Sequence, residues 1–406
     1  MSDGRYGVRG ALVATALLTG VLAAPGVAAA AGHVAAVSVS GRRTATMKDL
    51  GTLGGAGGVA VAINARGQVV GTADTADGAQ HAFRWTKSGG MQDLGTLGGR
   101  SSEGVGINDR GQVAGTADTA DGARHAFRWT KSGGMQDLGT LGGRFSVAVG
   151  INALGQVAGT AANANPEKNA RSFRWTESGG MQDLGSLGGG GFISHATGIN
   201  ALGQVTGTGA GGVAGGRNAY RWTESGGMQE LGGLVSGGDG DASAINDQGQ
   251  VTGGGNVGTF ELTDHAFRWT ESGGTQDLGA LPGGTTSFGN AINVQGQVTG
   301  NATTPDGLRH PFRWTESGGM EDLTADGCGT CGGFAINAPG QVAGDFVLSP
   351  GSAVHAFRWS PYVGLQDLGT LPGGTTSHGA AINDRGQVTG SADTADGATH
   401  PFLWTQ

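Results

Sequence analysis

The sequence predicts an all-β fold, an eight-bladed β-propeller of about 45-residue four-stranded repeats closed by an N-terminal strand that completes the last blade. Three observations carry that prediction: the register of the tryptophans, the alternation within each repeat, and the motifs left over at the two ends of the chain. All eight tryptophans (Trp85, Trp129, Trp175, Trp222, Trp269, Trp314, Trp359 and Trp404) follow one another at intervals of 44, 46, 47, 47, 45, 45 and 45 residues. A period of that length belongs to a propeller or a solenoid array.

Each period contains four short extended segments. The first ends in Ile-Asn, as at Val59-Ala-Val-Ala-Ile-Asn64, with Val59, Val61 and Ile63 on one face and Ala60 and Ala62 on the other. An Asn-x-x-Gly follows, present eight times from Asn64 to Gly386. Asn opens a type I turn, and Gly supplies the left-handed position that closes a short hairpin. The second segment is Gly-Gln-Val, as at Gly67-Gln-Val69, and the third is the aromatic strand His81-Ala-Phe-Arg-Trp-Thr86. Here His81, Phe83 and Trp85 share one face and Ala82, Arg84 and Thr86 the other, so a bulky face can fill the hollows of a neighbouring sheet. Ser-Gly-Gly then turns the chain into the fourth segment, Met91-Gln-Asp-Leu-Gly-Thr-Leu97. Nothing approaches the 3.6-residue period of a helix.

The ends complete the prediction. Met47-Lys-Asp-Leu50 is a lone fourth segment, whereas the last unit has three segments and no fourth. Pairing them makes the eighth blade and removes two open sheet edges. An open β-solenoid is the alternative, since it too stacks repeats.

These motifs together (His-Ala-Phe-Arg-Trp-Thr, Gly-Gly-Met-Gln-Asp-Leu-Gly-Thr-Leu-Gly-Gly and Ile-Asn-x-x-Gly-Gln-Val) resemble the HAF repeat family of bacterial extracellular proteins over about residues 47–406. Departures are local: Arg171 and Asn218 replace the His, Tyr220 the Phe and Leu403 the Arg. The resemblance implies a secreted repeat protein and brings no catalytic residues with it.

Composition agrees with a folded exported chain. Of 406 residues 86 are Gly and 10 Pro, but only 14% are charged, which argues against an expanded, self-repelling polymer. The formal charge of −8 argues against a dedicated nucleic-acid surface. Residues 1–31 read as a secretory signal, with Arg5 and Arg9 ahead of an apolar run and small residues at the cleavage region. Residues 32–46 read as a linker and 47–406 as the propeller, extracellular and free of the membrane once the signal is removed.

Chemistry is sparse. Six histidines (His81, His125, His265, His310, His355 and His400) recur once per repeat, which spreads them round a ring, so no metal or other cofactor is expected. The carboxylates of the fourth segments, from Asp49 to Asp367, are scaffold by the same reasoning. The loops Asp74-Thr-Ala-Asp-Gly78, Asp118-Thr-Ala-Asp-Gly122 and Asp393-Thr-Ala-Asp-Gly397 carry two carboxylates each, too few for calcium, and read as turns. Cys328 and Cys331 read as a local disulfide in an exported all-β chain, in preference to a redox pair.

Connections on one end of the propeller are uniform; those on the other vary. Variable loops on a rigid scaffold are where binding concentrates. The unrepeated Phe145, Phe192, Phe260 and Phe346, with Glu261, Asp264 and Arg217, therefore form the expected contact surface for an extracellular protein or cell-surface polymer. Phe288 and Phe334, near strand starts, either join this surface or plug gaps between blades, and Tyr362 falls on the opposite end. The leading expectation is a secreted non-catalytic binding or scaffold protein, with no catalytic residue assigned. The alternative is a polysaccharide hydrolase or lyase at the channel mouth, for which Glu103, Glu167, His195, Glu261 and Asp264 are the candidates.

Overall fold

The computed structural model describes residues 45–164, 170–187, 193–211, 216–235, 238–258, 263–324, 327, 331–349 and 351–406. The signal and most of the linker expected at the N-terminus lie outside these residues. Thirty-two β-strands and no α-helix occur among the described residues. In the first unit the strands are Gly54–Ile63, Val69–Thr75, Gln80–Thr86 and Gly90–Asp93, paired antiparallel in that order. The same meander recurs at 98–137, 142–183, 194–230, 240–277, 287–322 and 332–367, called units 2 to 7 below. Unit 8 consists of three strands within 377–405, and Thr46–Asp49 pairs with the last of them. The strands make seven sheets: six are four-stranded, and the eight-stranded one is units 2 and 3 joined by a single parallel pair, Phe145 opposite Arg124. The architecture is all-β and propeller-like.

The hairpins follow from the Asn-x-x-Gly turns. Asn64 Oδ1 accepts the amides of Arg66 and Gln68, both at 3.0 Å, and Gly67 closes the turn at a φ of 73°. A residue with a Cβ is strained there. The Asn also does something that the turn alone does not require. Its buried Nδ2 donates to the backbone carbonyl of the equivalent Asn in the following unit, at 2.9 Å from Asn64 to Asn108 and at 3.0 Å from Asn108 to Asn152. The series runs on through Asn200, Asn246, Asn293 and Asn337, and Asn383 donates to Asn64 O at 3.0 Å.

Between units, the bulky face of one third strand enters the small face of its predecessor. Val70 and Ala82 of unit 1 share a cluster with Val113, Phe127 and Trp129 of unit 2. The next layer repeats this, with Ala114 and Ala126 against Val157, Phe173 and Trp175. A serine hook adds a polar tie: Ala82 N donates to Ser102 Oγ at 2.9 Å, and Ser102 Oγ donates to Gly95 O at 2.5 Å. Proline has no amide to donate. Accordingly, Pro311 faces a unit with Cys331 at the serine position, and Pro401 faces one with Gly58.

Each third-strand arginine also lies over the tryptophan of the following unit, as Arg128 does over Trp175 at 4.6 Å from the ring centroid. Unit 8 has Leu403 in place of this arginine. There Lys48, directly opposite Leu403 in the strand pairing, lies over Trp85 at 4.8 Å, while Leu403 packs in one cluster with Phe83 and Trp85.

Candidate functional site

The variable connections and the starts of the first strands lie at the end of the sheets opposite the Asn turns. One register position there differs from unit to unit. In the first strand it holds Val59, Glu103, Val147, His195, Asp241, Phe288, Gly332 and His378. The residues opposite, in the second strand, are Thr72, Thr116, Thr160, Thr208, Gly254, Asn301, Asp345 and Ser391.

The threonines explain what the second-strand position is for. Thr116 Oγ1 accepts the amide of Ala148 in the next unit at 3.3 Å, and Thr160 Oγ1 accepts that of Ala196 at 3.2 Å. In unit 7 this task passes to a carboxylate: Asp345 Oδ1 accepts Gly379 N at 2.9 Å. Its second oxygen is left over, and it holds His378 Nδ1 at 2.7 Å. The Asp345 side chain is 6% exposed and that of His378 43%. A half-open imidazole is thus held by a buried carboxylate that fixes a proton on Nδ1 and leaves Nε2 to exchange protons with a ligand. The hydrogen bond from Asp345 raises the His378 pKa above its usual value, against the opposing effect of burial, with the Asp345 and Asp393 charges adding to the rise. Burial pushes the Asp345 carboxyl upward.

A second cluster lies between units 4 and 5. Arg217 Nη2 meets Asp241 Oδ1 at 2.8 Å, and the Arg217 amide donates to Asp239 Oδ1 at 3.2 Å. His195 is half-buried, and burial first, then the Arg217 charge, push its pKa down. Glu103 pairs with Arg124 at 2.7 Å.

The residues expected to form one contact surface are not brought together as a set. Phe145 is 37% exposed, and Arg217 and Asp264 are exposed strand residues. Phe192, Phe260 and Glu261 lie outside the described residues, as do Glu167 and Cys328. Phe346 corrects the expectation: it is 4% exposed, edge-on to Phe357 at 6.0 Å, in a cluster with Leu323 and Trp359. The reason is a compensation. Units 6 and 8 fill this hollow with Leu281 and Leu371 and keep alanine (Ala302, Ala392) at the register position of Phe346. The connection into unit 7 has no second leucine, so Phe346 fills the space. Phe288 similarly packs against Gly254, where an added Cβ would come within 2.3 Å of its ring. Cys331 is buried and disulfide-bonded.

Glu103 and Asp264, proposed for polysaccharide cleavage, make no contact with one another. The repeated His and Asp residues, read separately from sequence as scaffold, pair in the six units that carry the His, as His81 Nδ1 with Asp93 at 2.9 Å, and Asp93 also caps Gly95 N at 2.8 Å. Among the described residues no three of His, Cys, Asp or Glu converge. In the Asp-Gly loops the carboxylates serve the turn: Asp77 Oδ1 accepts the Thr75 hydroxyl, and Asp74 Oδ2 accepts Gly57 N at 3.0 Å. Sequence reasoning missed the pair Asp345–His378. Its signal was an acidic residue inside the apolar second strand Val342–Val347, where units 1 to 4 have Thr and no other unit has a carboxylate.

No family model matches the chain, and no curated protein matches it. Solved structures do. Dipeptidyl peptidase 4 of Porphyromonas gingivalis matches with a TM-score of 0.55 at 7% identity, over 86% of this chain and 57% of that one. A puromycin hydrolase (0.46, 14% identity, 87% and 60% covered) and the acylaminoacyl peptidase of Pyrococcus horikoshii (0.48, 10%, 78% and 53%) are also similar. The chain spans a little over half the length of these proteins. At such identities the likeness speaks for the fold, and fold alone assigns no chemistry. The comparison does not carry the expectation of a non-catalytic scaffold, since the neighbour at a TM-score of 0.55 is a dipeptidyl peptidase.

Proposed function

We propose that the eight units close into an eight-bladed propeller and that this propeller takes part in peptide hydrolysis, receiving peptide at the loop-end mouth beside His378. Closure is supported by the pairing of Thr46–Asp49 with the last strand and by the bond from Asn383 to Asn64. Lys48 over Trp85, in place of the arginine that Leu403 replaces, points the same way. On its sequence, the chain acts outside the cell as a HAF-type repeat protein.

The observation that carries the functional reading is the His378–Asp345 pair. It is the unrepeated imidazole whose orientation is set by a buried carboxylate, the arrangement that hydrolysis uses to take up a proton from the attacking group and return it to the leaving amine. Peptidase propellers supply the substrate class. The test is to incubate the full chain with defined peptides and follow the products by mass spectrometry. The reading expects cleavage by the wild-type chain and its loss in His378→Gln and Asp345→Asn, with the thermal midpoint retained in the first. Intact peptides with the wild-type chain, or undiminished cleavage by His378→Gln, overturn it.

A further inference from the structure

The turn end of the molecule has its own departure from the repeat. At four successive junctions the arginine that covers a tryptophan is neutralised by a glutamate two residues beyond that tryptophan: Arg128 with Glu177, Arg174 with Glu224, Arg221 with Glu271 and Arg268 with Glu316. At two adjacent junctions the glutamate position holds a lysine. Arg84 lies over Trp129 and is followed by Lys131; Lys48 lies over Trp85 and is followed by Lys87. A second cation thus stands where the frame elsewhere places a carboxylate.

Neighbouring turns increase the excess. Arg66 and Arg110 occupy the third position of their Asn-x-x-Gly turns, where units 3 and 4 carry Leu154 and Leu202. Both arginines and both lysines are exposed. Asp109, the acidic residue on these turns, uses Oδ1 to accept Ala65 N at 2.9 Å. The Arg84 guanidinium is pressed against the turn of unit 2: an ideal Cβ on Gly111 would stand 3.0 Å from its Nη2. A groove of 490 Å³ opens at the turn end of unit 2, lined by Arg110, Gln112, Thr130, Lys131 and Ser132, with no acidic residue among them. The adjoining groove has Arg128 and Glu177 together in its wall.

We propose that this sector is a binding site for an acidic peptide segment of a partner protein, whose carboxylates take the places that Glu177 and its equivalents fill elsewhere. The frame itself selects the chemistry. Four junctions already pair a glutamate with the arginine over the tryptophan, and the Arg84 junction keeps that stack with no glutamate of its own, so its geometry is that of a carboxylate receptor; Lys48 over Trp85 offers a cation in the same place. The density of cations adds long-range attraction that salt screens. The site is on the opposite end from His378 and does not depend on the hydrolytic reading.

The probe is a fluorescently labelled octaglutamate, with binding to the full chain followed by anisotropy at low and at physiological salt. The informative variant is Lys87→Glu with Lys131→Glu. It writes the Arg–Glu pair of units 3 to 6 into the Arg84 junction and sets a glutamate beside Lys48 at the other, so it keeps the fold. The proposal expects salt-sensitive binding by the wild-type chain, a loss of at least about tenfold in affinity in the double variant, and a thermal midpoint that does not fall. Absence of salt-sensitive binding, or equal binding by the double variant, overturns it. So does tighter binding of inorganic polyphosphate or of a sulfated polysaccharide than of the peptide. Self-association of the wild-type chain that the double variant abolishes would assign the surface to a second copy instead, and would also overturn it.

Discussion

The two ends of the sheets are built from the same repeats and treat them oppositely. At the turn end one asparagine recurs in every unit, tied to its own hairpin and to the next unit's carbonyl. At the loop end one ladder position of the first strand holds valine, glutamate, histidine, aspartate, phenylalanine or glycine. Internal repetition therefore separates groups that hold the units together from groups free to acquire chemistry. Asp345 belongs to both classes: one oxygen performs the tie that Thr116 and Thr160 perform elsewhere, and the other orients His378.

The largest expected effect tests where the loop-end aromatics sit. Phe346→Ala should cost about 3–5 kcal/mol, because it empties a hollow that no second leucine fills. Phe145→Ala should change stability by no more than about 0.5 kcal/mol. Chemical denaturation of the two variants checks the contrast, and equal losses would put Phe145 in the core as well.

A smaller effect compares the ends directly. Asn200→Ala removes a donor to Asn246 O at 2.9 Å, which keeps only the Gly249 amide, and the acceptor for Leu202 N and Gln204 N. The expected loss is about 1–3 kcal/mol. His195→Ala, which removes a ring with an unpaired buried Nδ1, should cost less than about 1 kcal/mol by the same measurement. A reversed order would contradict the division between tying and free positions.

Protonation sharpens the comparison within the loop end. The His378 pKa is raised, so the stability it contributes is complete below about pH 6.5 and is lost as pH rises through its folded value. The upward shift of Asp345 has the same sign: its ionisation in the folded state is disfavoured as pH rises above 3.8. The His195 pKa is lowered, so its contribution runs the other way, with stability rising as pH climbs from that lowered value toward 6.5. Titration of the histidine ring resonances should therefore give His378 above and His195 below an ordinary histidine, and His378→Gln should flatten the decline of the thermal midpoint above about pH 6.5.

The fold was legible because its signals are local and repeated. The Gly-closed Asn turn and the aromatic strand are each written within a few residues, and the tryptophans repeat them at intervals of 44 to 47. Contacts between units were not legible, since nothing in the sequence near Asn64 says that its amide reaches Asn108, 44 residues on. The pair Asp345–His378, 33 residues apart, was hidden for the same reason. Phe346 misled because an unrepeated aromatic beside a variable connection reads the same whether it faces solvent or replaces a missing leucine; the absence of that leucine from the connection into unit 7 was the available clue.

Lys48 and Leu403 stand opposite one another where the first described strand meets the last. The double variant Lys48→Cys with Leu403→Cys, purified as a monomer and oxidised, should form one intrachain disulfide linking peptides from the two ends of the chain, read by mass spectrometry after proteolysis. Free thiols at both positions, or cross-links between separate molecules alone, would contradict the proposed closure.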